Sequence, residues 1–160
     1  MLIRFIAVAG AFLMLAACSS TPDPGASGPG GPGGPAGSSR GGPGSQQDLA
    51  ATAGDRVFFA YDQSDISSEA QQILHRQSDW LRRYPNVSVA IEGHCDERGT
   101  REYNLALGER RAQAVKNVLV ALGVPAARVS TISYGKERPE IPHSDDQSYA
   151  QNRRGVTTVN

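Results

Sequence analysis

Cysteine is nearly absent from the 160-residue chain, which has only Cys18 and Cys95. Two thiols so far apart do not make a disulfide framework. Histidine is scarce as well. The run His94-Cys95-Asp96-Glu97 sets four potential ligands side by side, yet consecutive residues cannot all face one ion, and His75 and His143 lie in unrelated contexts. No metal site is expected. Net charge is missing too: 16 Lys and Arg balance 16 Asp and Glu, which leaves no electrostatic footprint for nucleic acid. No Ser/His or Cys/His nucleophile arrangement stands out. Asp96 and Glu97 are adjacent in a loop and so lack the set carboxylate separation that a glycosidase needs. These absences point to a binding protein without a cofactor rather than an enzyme.

Long apolar runs are limited to residues 1–17, MLIRFIAVAGAFLMLAA. That run is short for a membrane span of ~20 residues, carries one Arg near its start and closes on small residues, so it reads as a secretory signal. Leu15-Ala16-Ala17-Cys18 resembles the bacterial lipobox, in which the Cys is acylated and becomes the mature N-terminus. Three acyl chains at ~0.8 kcal/mol per buried methylene would anchor it permanently. Ser19 stands where an Asp would favour inner-membrane retention, so the outer membrane is the expected destination. Pro22 to Ser45 is dominated by Gly and Pro without a strict Gly-X-Y period. It is therefore expected to be a disordered tether and not collagen. As a coil, residues 19–54 would reach on the order of 30–35 Å. The expected organisation is a signal segment at 1–17, a lipidated Cys and tether at 18–54, and one domain at 55–160.

Within that domain the periodicities predict an α+β fold. VFFAY (57–61) reads as a strand. Ser67 or Ser68 can cap a helix from about Glu69 to Arg83 with Trp80 as a core anchor, stopped by Pro85. Val87, Val89 and Ile91 alternate with polar or small residues as a half-buried strand. After a charged loop at 93–100, a helix is expected from Arg101 or Asn104 to Leu122, stopped by Gly123. Val129–Tyr134 and Val156–Val159 complete the strands, with one helical turn near 145–150 between them. The order β-α-β-α-β-β implies helices on one face of a small mixed sheet.

Charge is crowded into residues 93–115, GHCDERGTREYNLALGERRAQAV, where a strand hands over to a helix. Asn104, Leu107 and Arg111 share one helical face, and a loop folding over it would set Asp96 and Arg111 on opposite walls of a cleft. Such a pair suits a zwitterion: the carboxylate takes an ammonium and the guanidinium grips a carboxylate. A loop-to-helix salt bridge between the same two residues is the plainer alternative. His94 is expected to be a loop residue hydrogen-bonded to its neighbours. Arg153 and Arg154 fit a structural or solvated role as well as a ligand contact.

The segments EGHCDERGTREYN (92–104), LGERRAQAV (107–115), SYGKERP (133–139), QNRR (151–154) and VFFAYDQSDI (57–66) resemble the OmpA-like peptidoglycan-binding domains, in the form carried by lipoproteins of the Tol–Pal system. The resemblance implies an OmpA-like sandwich without covalent chemistry. It implies that Asp96 and Arg111 bind the ammonium and carboxylate of diaminopimelate in the peptidoglycan stem peptide. Asn104 and Arg98 would lie beside them, Asp62 and the Tyr61 backbone would close the cleft, and Leu107 would pack the ligand stem. It also implies TolB as a second partner on an overlapping surface. Two positions depart from the family pattern: Ala60, where an Asp is common, and Cys95, where Ala or Thr is common.

Overall fold

The computed structural model describes residues 41–160. The signal segment, Cys18 and the tether as far as residue 40 lie outside the described residues. The elements are α1 (Gln46–Thr52), β1 (Arg56–Phe58), α2 (Ser68–Arg83), β2 (Val89–His94), α3 (Arg101–Ala121), a 3-10 turn (Ala126–Arg128), β3 (Val129–Gly135), α4 (Asp146–Asn152) and β4 (Arg154–Val159). The strands form one sheet in the order β1-β4-β2-β3. β4 runs antiparallel to both β1 and β2, whereas β2 and β3 are parallel. A parallel pair needs a crossover, and α3 supplies it. The α+β arrangement with a mixed sheet is the one the periodicities imply.

A single core lies between the sheet and the helices. Val57, Val89, Ile91 and Val129 meet Leu74, Trp80 and Leu81 of α2 and Ala112, Val115 and Leu119 of α3. The opposite sheet face carries Ser130 and the exposed Ile132. Helix α2 begins where Ser67 accepts the Ala70 N–H at 3.1 Å. Its C-terminal end is held by Arg128, whose guanidinium donates to the Leu81 and Tyr84 oxygens and, beyond the helix, to the Val87 oxygen, at 2.8–3.0 Å. Helix α3 ends at Gly123, which adopts φ +96°, a conformation cheap only for glycine.

How close α3 lies to the sheet is set by two glycines. A methyl group on Gly93 would fall 1.8 Å from the Gly108 carbonyl oxygen, and one on Gly108 would lie 2.9 Å from the Gly93 oxygen. The backbones of β2 and α3 therefore touch at the strand's C-terminal end. That contact brings the loop at 95–100 over the first turns of α3.

Three expectations change. The folded unit begins before residue 55, because residues 46–52 of the expected tether are helix α1. Its Leu49 is fully buried and Ala53 nearly so. Ser45 caps α1 by accepting the Asp48 N–H at 3.2 Å, and Asp48 in turn accepts from Gly44 N–H and Trp80 Nε1, both at 2.9 Å. The Gln46 amide donates to Thr157 O at 3.1 Å and accepts from Val159 N–H at 2.7 Å, standing in for a strand where β1 leaves β4 unpaired. Strand β1 is also shorter than 57–61. Beyond Phe59 the backbone turns away, and Asp62 adopts φ +57°, which Asp tolerates better than most residues. Finally, His94 is the last residue of β2 and not a loop residue.

Leu49→Ala should lower stability by about 2–5 kcal/mol if α1 belongs to the core. Urea unfolding followed by Trp80 fluorescence reads the shift. A change below ~0.5 kcal/mol would return residues 46–52 to the tether.

Candidate functional site

The buried stripe of α3 runs through Asn104, Leu107, Gly108, Arg111, Ala112, Val115 and Leu119. Its C-terminal half is apolar core. Its N-terminal half carries Asn104 and Arg111, and there the stripe floors a cleft of about 230 Å³. The walls come from the turn after β1 (Tyr61, Asp62), the loop after β2 (Cys95, Asp96, Arg98, Gly99) and Arg153 beside β4. All seven residues marked out in the sequence, Tyr61, Asp62, Asp96, Arg98, Asn104, Leu107 and Arg111, line this one cleft. Four further residues line it, Cys95, Gly99, Tyr103 and Arg153, and of these Arg153 is the one the sequence leaves open between a structural role and a ligand contact.

Arg111 is fully buried. Its Nε donates to Gln63 O at 2.8 Å, Nη1 to His94 O at 2.8 Å and Nη2 to Ala60 O at 3.1 Å. Each acceptor is a neutral carbonyl, and Arg111 forms no salt bridge with any described carboxylate. Burial accordingly lowers its pKa from the usual guanidinium value. Because residue 60 contributes only its carbonyl here, the Ala at that position leaves this clamp intact.

The salt bridge between Asp96 and Arg111 offered by the plainer reading is not formed. Asp96 is buried and instead accepts from Arg98 Nη2 at 2.6 Å, Arg98 N–H at 3.2 Å and Arg153 Nη1 at 3.2 Å. Burial pushes its carboxyl pKa up, but the hydrogen bonds from Arg98 and Arg153 outweigh that and hold it below the usual value. Arg153 is itself fixed by Nε donating to Phe59 O at 3.1 Å. Asn104 spends its amide on the loop, donating to Arg98 O at 2.8 Å and Thr100 O at 3.0 Å. Tyr103 donates its hydroxyl to the Asp62 carboxylate. Counting lining groups, Arg98, Arg111 and Arg153 face Asp62 and Asp96, so the cleft favours an anion.

A match to the family model described as the OmpA family extends over residues 58–153. The chain belongs to the OmpA family. Members of the OmpA family are structural proteins and not enzymes, and that holds for this chain. Over 117 residues it is 56% identical to the peptidoglycan-associated lipoprotein of Agrobacterium fabrum, covering 73% of this chain and 66% of that relative. The match therefore spans about two thirds of that protein's length. The peptidoglycan-associated lipoprotein of Pasteurella multocida is 43% identical over 155 residues, covering 97% of this chain and 96% of the relative. The crystal structure of the peptidoglycan-associated lipoprotein from Burkholderia pseudomallei superposes with a TM-score of 0.65 at 40% identity, covering 66% of this chain and 90% of that one.

Cys95 is buried, and its thiol donates to Asn104 O at 3.4 Å. Behind the cleft, His94 packs its ring 5.5 Å from that of Tyr134. Neither of its ring nitrogens has a hydrogen-bond partner among the described residues, and Glu92 stands off at 3.5 Å. Its carbonyl, however, holds Arg111, so the strand end serves the cleft through its backbone. Burial, helped by the Arg154 charge, pushes the imidazole down to about 4. The unfolded chain, titrating near ~6.5, binds a proton that the folded chain refuses. Stability is therefore full above about pH 6.5 and should fall as pH drops to about 4, by roughly 3 kcal/mol, then level off. Asp96 adds a separate loss that begins as pH falls through the ordinary carboxylate range and continues below it. Denaturant titrations at pH 7, 5.5 and 4.5 should show this slope flattened in His94→Leu; an unchanged slope would assign it to another group.

Proposed function

We propose that this chain is an outer-membrane lipoprotein that holds peptidoglycan non-covalently through the diaminopimelate residue of the stem peptide. The observation that carries the reading is Arg111: a guanidinium buried in a cleft with no described carboxylate as partner, close to the Asp96 carboxylate. The free end of diaminopimelate places an ammonium and a carboxylate on one carbon, and the cleft offers one group for each. Arg111 takes the carboxylate, Asp96 takes the ammonium, and Leu107 packs the aliphatic stem. Tyr61, Asp62, Arg98 and Asn104 shape and close the cleft. The name of the Pasteurella relative, matched over nearly its whole length, supports both the wall and the lipid anchor. Cys18 is the acylation site in this reading. Among the described residues no helix is long and apolar enough to cross a membrane. An acyl anchor and a wall-binding head would together tie the outer membrane to the wall, and as part of the Tol–Pal system would draw it inward at division.

Full-length chain in detergent should pellet with purified sacculi, and Asp96→Asn or Arg111→Gln should each weaken binding about tenfold or more. Arg111→Gln also loosens the loop at 60–63, so its fold is checked by thermal melting before binding is compared. Equal pelleting of all three proteins would place the wall contact elsewhere on the chain.

TolB is the second partner in this reading, at a surface overlapping the cleft. Tyr61 and Tyr103 at the rim are 59% and 44% exposed and supply the aromatic contact that protein interfaces favour. Excess TolB should then release the chain from sacculi. Simultaneous binding of both would separate the surfaces, and no TolB binding would leave a wall tether outside the Tol–Pal system.

A further inference from the structure

The two guanidinium partners of Asp96 are not equivalent. Arg153 is anchored, with a side chain only 14% exposed and its Nε on the Phe59 carbonyl. Arg98 is 37% exposed and comes from the same loop as Asp96. No carbonyl anchors its guanidinium. Instead, the guanidinium carbon lies 4.1 Å from the centre of the Tyr61 ring and 4.5 Å from that of Tyr149. Tyr149 is itself fixed by donating to Glu97 Oε1 at 2.7 Å. Arg98 Nη2 serves Asp96, yet Nε is shielded from solvent with no acceptor among the described residues.

We infer that Arg98 determines specificity by exchanging partners, yielding Asp96 to the ligand's ammonium and joining Arg111 on the ligand's carboxylate in return. The inference rests on the diaminopimelate reading above and deepens it. Asp96 Oδ2 already has two cationic nitrogens within 3.2 Å. An arriving ammonium makes a third, and like charges in a shielded site repel strongly. One must leave, and Arg153 is held by the Phe59 carbonyl while Arg98 is not. The displaced Arg98 remains between two aromatic faces that favour a cation. It then has Nε and the freed Nη2 together, the two-pronged donor that grips a carboxylate.

Selectivity follows from charge. A diaminopimelate end brings an anion for the displaced Arg98. A lysine side chain, which is diaminopimelate without its terminal carboxylate, takes Asp96 from Arg98 and gives nothing back. Arg98, Arg111, Arg153 and the ammonium would then share one cleft with only Asp96 and Asp62, a cost of the kind that discriminates ligands by repulsion. Arg98 in this role acts against the wrong ligand as well as for the right one.

The test uses full-length chain in detergent and two soluble disaccharide-tripeptides, identical except for diaminopimelate or L-lysine at the third position. Calorimetric titration compares wild type with Arg98→Ala and Arg98→Gln, each checked for wild-type melting. Wild type should prefer the diaminopimelate compound about tenfold or more. In both variants the lysine compound should bind about threefold tighter than to wild type, and the diaminopimelate compound about threefold weaker. Equal weakening of both compounds would make Arg98 an ordinary wall of the cleft. Unchanged affinities for both would remove it from binding altogether, and either result overturns the exchange. If wild type binds neither compound, the diaminopimelate reading fails first, before any variant is compared.

Discussion

With a methyl group at residue 93, helix α3 could not lie where it does, because the Gly108 carbonyl would be 1.8 Å away. The contact of two glycine backbones lets the helix sit hard on the strand at its C-terminal end. From there Arg111, one turn beyond Gly108, reaches the His94 carbonyl at the strand's last residue and the Ala60 and Gln63 carbonyls of the first loop. A helix held off by even one methyl would leave those carbonyls and the guanidinium to water. Loop positions, cleft depth and the charge at its floor all depend on that one close approach.

Burying a guanidinium without a carboxylate is expensive unless its donors are satisfied, since an isolated charge in a low-dielectric setting costs several kcal/mol. Three backbone carbonyls take one hydrogen bond from each nitrogen, three of the five N–H donors, and leave the charge itself uncompensated. That asymmetry separates this site from a structural ion pair. A stabilising pair would bring Asp96 across to Arg111. Here Asp96 is kept by Arg98 and Arg153, and no described carboxylate neutralises Arg111. The cost is spread over three chain segments that Arg111 also fastens together, so a residue suited to ligand capture is at the same time part of the fold.

Much of this was legible in the sequence because the buried face of α3 keeps its period across a change of chemistry. Asn104, Leu107 and Arg111 fall on the same stripe as Val115 and Leu119, so periodicity located the floor of the cleft and residue type gave its character. The missing parts lacked such a period. Helix α1 spans only two turns, and its alanines and glutamines follow a Gly/Pro run that reads as tether. A signal was present in Ser45, which caps the helix through the Asp48 N–H, and in Asp48, whose carboxylate reaches back to the Gly44 N–H. Arg153 could not be decided between a structural role and a ligand contact because its place depends on pairing of β4 with β1, a contact across some hundred residues that no local pattern encodes. The burial of His94 was hidden for a related reason: strand β2 runs three residues past the last alternating apolar position, carried by its pairing with β3 and β4.

A tether that holds a wall under changing load needs a head that is rigid where it grips and able to let go. If the cleft is that grip, as proposed, it would divide those demands between its residues. Arg111, Arg153 and Asn104 are each fixed by backbone carbonyls, so the floor and one wall are preorganised and little conformational entropy is lost there on binding. The Arg98 guanidinium is held only by a carboxylate and two aromatic faces, and a zwitterion's carboxylate would stand in for Asp96 while the aromatic contacts stay. Exchange of like for like would change the net interaction energy little, which would keep each attachment weak while leaving it selective. Many such attachments acting together on a sheet-like polymer would bear load that none could bear alone, and each could release and rebind without any part of the core moving.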